Sequence, residues 1–217
     1  MRRVVLPEKL DSLPEDDPGA VANRRDLRKI NFLMGNYRWL RKVLNRRLIR
    51  SDSVSEWAAG DGAFGASLAR AGKGVVLKGV DLCRRPDEWP SDGRWQQANL
   101  LDLQLDDIGD VVIGNFILHQ FEDEQLFKLG ELLNARARLV VFNETARSQT
   151  AIILSRLTEF LFAMHAVTKH DAEVSVRAGF RGNELPVLLG LSSTTWRWEI
   201  TTTLRGSYRM VAERVQS

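Results

Sequence analysis

Glu56-Trp57-Ala58-Ala59-Gly60-Asp61-Gly62-Ala63-Phe64-Gly65 decides how the rest of this 217-residue chain is read. It follows a strand-like run, Ser53–Trp57, and leads into Ala63–Ala71, whose alanines and leucine suit a helix. A strand that turns into a helix through glycines lets the backbone approach a ligand, because no Cβ stands in the way. Gly60-x-Gly62-x-x-Gly65 matches the dinucleotide-binding spacing, with Asp81 about twenty residues further on. Glu56, four residues before Gly60, argues against a pyrophosphate at this turn. A carboxylate there repels phosphate and attracts a cation.

Outward from the turn, short apolar strands alternate with helical stretches. Gly74–Val80 reads as a second strand closing at Asp81, Trp95–Ala98 as a third, Asp110–Asn115 as a fourth and Ala137–Asn143 as a fifth. Helices are predicted over Glu122–Asn134, over about 149–165, and from Gly182 to Gly190. The chain closes with Trp196–Thr203 and Tyr208–Arg214, two strands about a tight turn at Arg205-Gly206. The alternation predicts an α/β fold: a Rossmann-like, doubly wound, mostly parallel seven-stranded sheet with a C-terminal antiparallel hairpin.

Residues 1–20 read as an irregular leader, and Asn23 as the cap of a following helix. Leu27, Ile30, Leu33 and Met34 recur at helical spacing, Gly35-Asn36 breaks the run, and Tyr37, Leu40, Val43, Leu44 and Leu48 continue it. This predicts an N-terminal helical arm over 1–50 packed on a main domain over 51–217. Between Val21 and Arg50 lie ten Lys and Arg residues against Asp26 alone, in a chain whose total is only +3. Such a segment is either a solvated helix face or a surface for an anionic partner: nucleic acid, anionic lipid or a phosphorylated carrier. No run of apolar residues is long enough to span a bilayer. The N-terminus lacks the apolar core of a secretory signal, so the cytoplasm is the expected location. One cysteine, Cys83, leaves no disulfide framework or cysteine-based metal site, and no metal is expected.

These residues resemble the class I S-adenosylmethionine (SAM)-dependent methyltransferases, especially small bacterial enzymes acting on quinones and natural products. That family's first motif reads acidic-x-Gly-x-Gly-x-Gly; here it is Glu56-x-Ala58-x-Gly60-x-Gly62, with alanine for the first glycine. Its second motif, an acidic residue closing the second strand, matches Asp81 in Gly79-Val80-Asp81-Leu82. The resemblance implies that Asp81 holds the ribose hydroxyls. In the third motif, Gln97-Ala98-Asn99-Leu100 places Asn99 where an aspartate commonly meets the adenine amino group, with Asp102 as an alternative register. The fourth resembles Asp110–His119, with Asn115 at the strand end beside the cofactor. The implied cofactor residues are thus Glu56, Ala58, Gly60, Gly62, Asp81, Leu82, Asn99, Leu100 and Asn115. SAM would be the cofactor and S-adenosylhomocysteine (SAH) its product.

Methyl transfer from a sulfonium is an in-line displacement for which alignment supplies much of the rate. A general base is needed only for a poorly ionised acceptor. His119, just past Asn115, and His170, beside Asp171, are the candidate bases. His165 falls in an apolar run and reads as a helix residue, Glu144 faces the acceptor or caps the next helix, and Tyr37 and Arg38 close over the pocket or pack the arm. The apolar stretch Thr150–Val167 roofs an acceptor pocket or packs the core. A Pro-Pro-aromatic turn is absent after Asn115, and Cys83 follows the second strand, so nucleobase amino and cytosine C5 methylation are disfavoured. The expected acceptor is a small, apolar or aromatic molecule methylated on oxygen. Rivals are an RNA or protein methyltransferase docking through the basic arm, a non-catalytic SAM-binding protein and, more distantly, a dehydrogenase.

Overall fold

A computed structural model describes residues 1–14, 16–71 and 74–215. The arm is two helices, α1 (Pro18–Met34) and α2 (Asn36–Arg47), separated at Gly35, whose φ of 69° a side chain would strain. Asp17, not Asn23, caps α1: its carboxylate accepts the Gly19 and Ala20 N–H groups, with Pro18 at the first helical position. Asn23 instead lies buried inside the helix, donating to Asp171 at 3.4 Å.

The rest of the chain runs through β1 (Ser53–Trp57), α3 (Ala63–Arg70), β2 (Val76–Asp81), β3 (Arg94–Gln97), β4 (Val111–Asn115), α4 (Asp123–Arg136) and β5 (Leu139–Thr145). Then come α5 (Gln149–Leu161), α6 (Ala166–Ala178), α7 (Glu184–Leu188), β6 (Trp196–Thr202) and β7 (Ser207–Arg214). One seven-stranded sheet forms in the order β3-β2-β1-β4-β5-β7-β6. β1 to β5 pair in parallel, and β7 lies antiparallel between β5 and β6, as the terminal hairpin predicts. Register pairs Trp57 with both Val80 and Gly114, so β1, β2 and β4 end level with one another. That common carboxyl edge is where an open α/β sheet receives ligands.

Both faces of the sheet are covered, which is why β4 and β5 open on continuous apolar runs, Val111–Ile113 and Leu139–Phe142. Along β4, Val112 faces a core with Trp57, Leu126, Phe142 and Trp196. Val111 and Ile113 face the other, with Leu40 and Leu44 of α2 and Phe64 and Leu68 of α3. The arm is therefore part of the core cover. Between β2 and β3 no helix forms; Trp89 fills that space instead. A Cβ at Gly65 would stand 2.3 Å from its ring and one at Gly79 2.9 Å, so these glycines admit an indole.

Two expectations need correction. The helix over about 149–165 ends at Leu161, and His165 is the cap of a separate helix, α6, accepting the Val167 N–H. His170 accordingly lies within α6. The leader is irregular in conformation but pinned along its length. Arg3 donates to Ala178, His119 and Phe121 carbonyls, and the Lys9 and Leu10 N–H groups donate to Asp171. No local periodicity announces partners so distant in sequence.

Candidate active site

The turn after β1 carries three residues in the left-handed region: Ala58 (φ 51°), Gly60 (φ 56°) and Gly62 (φ 70°). For Ala58 this conformation costs about 1–2 kcal/mol, which the glycine of the usual motif would avoid. A Cβ built on Gly60 meets nothing within 4 Å, so the backbone there borders open space. Asp81, at the end of β2, accepts the Gly60 N–H at 2.7 Å and the Cys83 N–H at 2.9 Å, one on each oxygen. Each oxygen keeps a further lone pair. Leu82 beside it is 65% exposed, an apolar surface at the mouth of the site. Asn99 uses its amide oxygen to cap a short 3-10 turn at the Leu101 N–H, with Leu100 buried behind it.

Glu56 lies beneath this turn, buried, and its Oε2 has no hydrogen-bond partner. Burial, with Asp61 and Asp81 nearby, pushes its carboxyl up to about 8; the adjacent Gly65 N–H offsets this only in part. A carboxyl so placed would be stabilised in its charged form by a cation set against it. Asp61 is neutralised from above by Arg28 of α1 at 2.6 Å, which ties the arm across the glycine turn.

At β4 and β5 the character of the edge changes from acid to amide. Asn115 donates to Asn31 of α1 at 3.0 Å and accepts from Asn143 of β5 at 2.9 Å. Asn31 also accepts from Asn36 at 2.9 Å, and Asn36 accepts from the Ser207 hydroxyl at 3.1 Å. Arg209 of β7 reaches Asn143 Oδ1 at 3.4 Å while stacking over Trp39.

His119 lies behind this edge. Its Nδ1 is 2.7 Å from Glu144 and its Nε2 3.1 Å from Glu8 of the N-terminal segment. Burial opposes its charge, but the two carboxylates overcome this and raise it to about 10. An imidazolium so held has no lone pair to offer an acceptor, so in this arrangement the His119 ring is a link between β5 and the N-terminal segment. Glu144 lies within β5, not after it, and is not the cap of the next helix, α5, whose cap is Ser148; it is buried against His119. Its other oxygen accepts the Ile117 and Leu118 N–H groups. His170, 40% exposed, pairs with Asp171 on α6, and no described hydrogen bond joins it to the strand ends. Tyr37 packs on Phe64 and Arg38 faces outward.

No protein-family model and no curated protein matches the chain. Solved structures do, by shape. The plantazolicin methyltransferase BpumL, bound to a triazolic desmethylPZN analog and SAH, superimposes with a TM-score of 0.72 at 10% identity, over 95% of this chain and 93% of that one. The fold is that of the SAM-dependent methyltransferases. The magnesium protoporphyrin IX methyltransferase of Synechocystis PCC 6803 with bound SAH gives a TM-score of 0.52 at 16% identity, over 86% of this chain and 84% of its own. A putative O-methyltransferase from Nostoc punctiforme PCC 73102 gives 0.56 at 12% identity, over 83% of this chain and 56% of its own.

Within this methyltransferase fold the sequence-predicted residues Glu56, Ala58, Gly60, Gly62, Asp81 and Leu82 meet around one turn. Asn99 and Leu100 follow β3, and Asn115 ends β4. Asn31, Asn143, Arg28 and Arg209 complete the edge and were not anticipated. Asn143 sits at the end of a predicted strand and was in principle legible by position. Asn31 and Arg28 are separated from their partners by 84 and 33 residues, and only the fold joins them. Of two concavities, one of about 400 Å³ lies along β6, away from this edge; the other, of about 200 Å³ between α2 and the β6–β7 hairpin, has Arg209 and Trp39 in its lining and so adjoins it.

Proposed function

We propose that the chain is a SAM-dependent methyltransferase that methylates an oxygen of a small, largely apolar or aromatic acceptor. The observation that carries the cofactor is the orphaned, buried Glu56 carboxyl beneath a glycine turn. SAM brings an ammonium group to such a seat, whereas NAD would bring its anionic pyrophosphate to this turn. Asp81 has lone pairs left for two ribose hydroxyls, and open Gly60 leaves room for the chain between them. Glu56, Ala58, Gly60, Gly62, Asp81, Leu82, Asn99, Leu100 and Asn115 are the residues we assign to it. When bound, the cofactor supplies an activated methyl group; the protein's part is to align it and exclude water. SAH in the fold neighbours supports the same reading.

An apolar acceptor is supported by α5, where Ile153, Leu157 and Phe160 are all more than half exposed and form one stripe beside the arm. No helix among the described residues is long and apolar enough to cross a membrane. The test is calorimetric titration with SAM, SAH and NAD, with Asp81→Ala as control. Saturable binding of the adenosyl compounds, weakened by the substitution, is expected; preference for NAD sinks the reading. A second reading, docking of RNA, is favoured by Arg38, Arg41, Lys42 and Arg46 on α2, which have no ion pair among the described residues. Steeply salt-dependent binding of an oligonucleotide would support it.

A further inference from the structure

The asparagine chain at the ends of β4 and β5 has a fixed polarity. An amide side chain can be turned either way unless a neighbour decides it. Arg209 decides it here, because a guanidinium only donates. Facing Arg209, Asn143 must present its oxygen, so its Nδ2 donates to Asn115. Asn115 is thereby turned to present its own Nδ2 to Asn31, whose oxygen accepts it together with the Asn36 Nδ2. Asn31 is 5% exposed, yet its Nδ2 donates to no described group and is not fully enclosed. Asn115 likewise has a second N–H without a partner. Asn115 stands on the carboxyl edge, and Asn31 meets it from the arm, which Arg28 ties to Asp61. The acids of β1 and β2 lie on one side and these amide donors on the other.

We propose, building on the methyltransferase reading, that the spare N–H groups of Asn31 and Asn115 form the seat of the acceptor's oxygen, and that this oxygen arrives ionised, as a phenolate or enolate. Fixed donors in a water-poor site favour an oxyanion strongly. Asn31 and Asn115 are not bases, and His119, held between Glu144 and Glu8, already carries a proton on each nitrogen. The acceptor therefore loses its proton to water before transfer. A lone pair of its oxygen then forms the bond to the methyl carbon while the carbon–sulfur bond breaks, its electron pair remaining on sulfur. Acidic phenols and enols are the substrate class, and simple alcohols are excluded.

The test uses 4-nitrophenol as the probe and the full chain saturated with SAH. The acid dissociation constant of the bound probe, followed by absorbance, is expected to rise at least tenfold relative to water. Asn31→Asp, nearly isosteric but anionic, should abolish or reverse that change, and Asn31→Ala should weaken phenolate binding about tenfold. Tryptophan fluorescence and SAH binding check that each variant is folded. An unshifted or raised probe pKa in the wild-type complex, or failure of the SAH complex to bind phenolate at all, overturns the proposal without need of a variant. Failure of the protein to bind SAH indicts the methyltransferase reading instead.

Discussion

If Glu56 seats the ammonium group of SAM or SAH, binding must displace a proton. A carboxyl that titrates at about 8 is largely neutral at pH 7, and a cation placed against it restores the ionised form. By linkage, a group titrating near 8 then releases about 0.9 proton per ligand bound at pH 7. Affinity for SAH should climb about tenfold between pH 6 and pH 7, a range in which the ligand's own amine stays protonated. Calorimetry in phosphate and in Tris, whose ionisation enthalpies differ, reads the released proton directly, and titrations across pH read the slope. Glu56→Gln keeps the shape but cannot ionise, so both signals should vanish. At pH 8 it should also lose about 1.5–3 kcal/mol of SAH binding, the worth of a hydrogen bond to a charged group. SAH binding without proton release in the wild type, or with equal release in Glu56→Gln, would refute the assignment.

Stability should depend on pH through His119 as well. Its folded pKa of about 10 lies above the ordinary 6.5, so its contribution is complete below 6.5 and lost as pH rises through 10. Urea denaturation at pH 6 and pH 9 should show this loss, best measured in a Glu56→Gln background because Glu56 also opposes stability as pH rises from 4.5 through about 8; His119→Gln should flatten it. Gly65→Ala would put a Cβ 2.3 Å from the Trp89 ring. It should destabilise the fold by about 1–3 kcal/mol, as overpacking does, lowering Tm. Asp17→Ala removes the α1 cap and should cost about 1 kcal/mol in chemical denaturation, whereas Asn23 is not the capping residue.

The strands were legible because short apolar or alternating runs are bounded by polar or glycine-rich turns. From Ser53 to Asn143 the observed strands agree with the expected ones within a residue or two. That the glycine turn, Asp81 and Asn115 stand at the carboxyl ends of strands was legible for a related reason: strand ends can be read from the chain, and in an open parallel sheet those ends share one edge. The boundary between α5 and α6 was not, because Thr150–Val167 has one apolar character throughout. The break at Ala163 to His165 is held by the His165 N–H donating to Asp26 at 2.9 Å, a bond across 139 residues.

What the sequence by itself determined, then, is the order of elements and the carboxyl edge of the sheet, since hydrophobic periodicity and turn chemistry are local properties of the chain. Which side chains face one another across that edge was decided by tertiary structure alone. Glu8 meets His119 across 111 residues, Asn31 meets Asn115 across 84, and Arg209 meets Asn143 across 66. A hydrogen bond needs its two groups within about 3 Å and correctly aimed. Residue type announces the capacity to form one; only the packing of the arm against the strand ends chooses the partner.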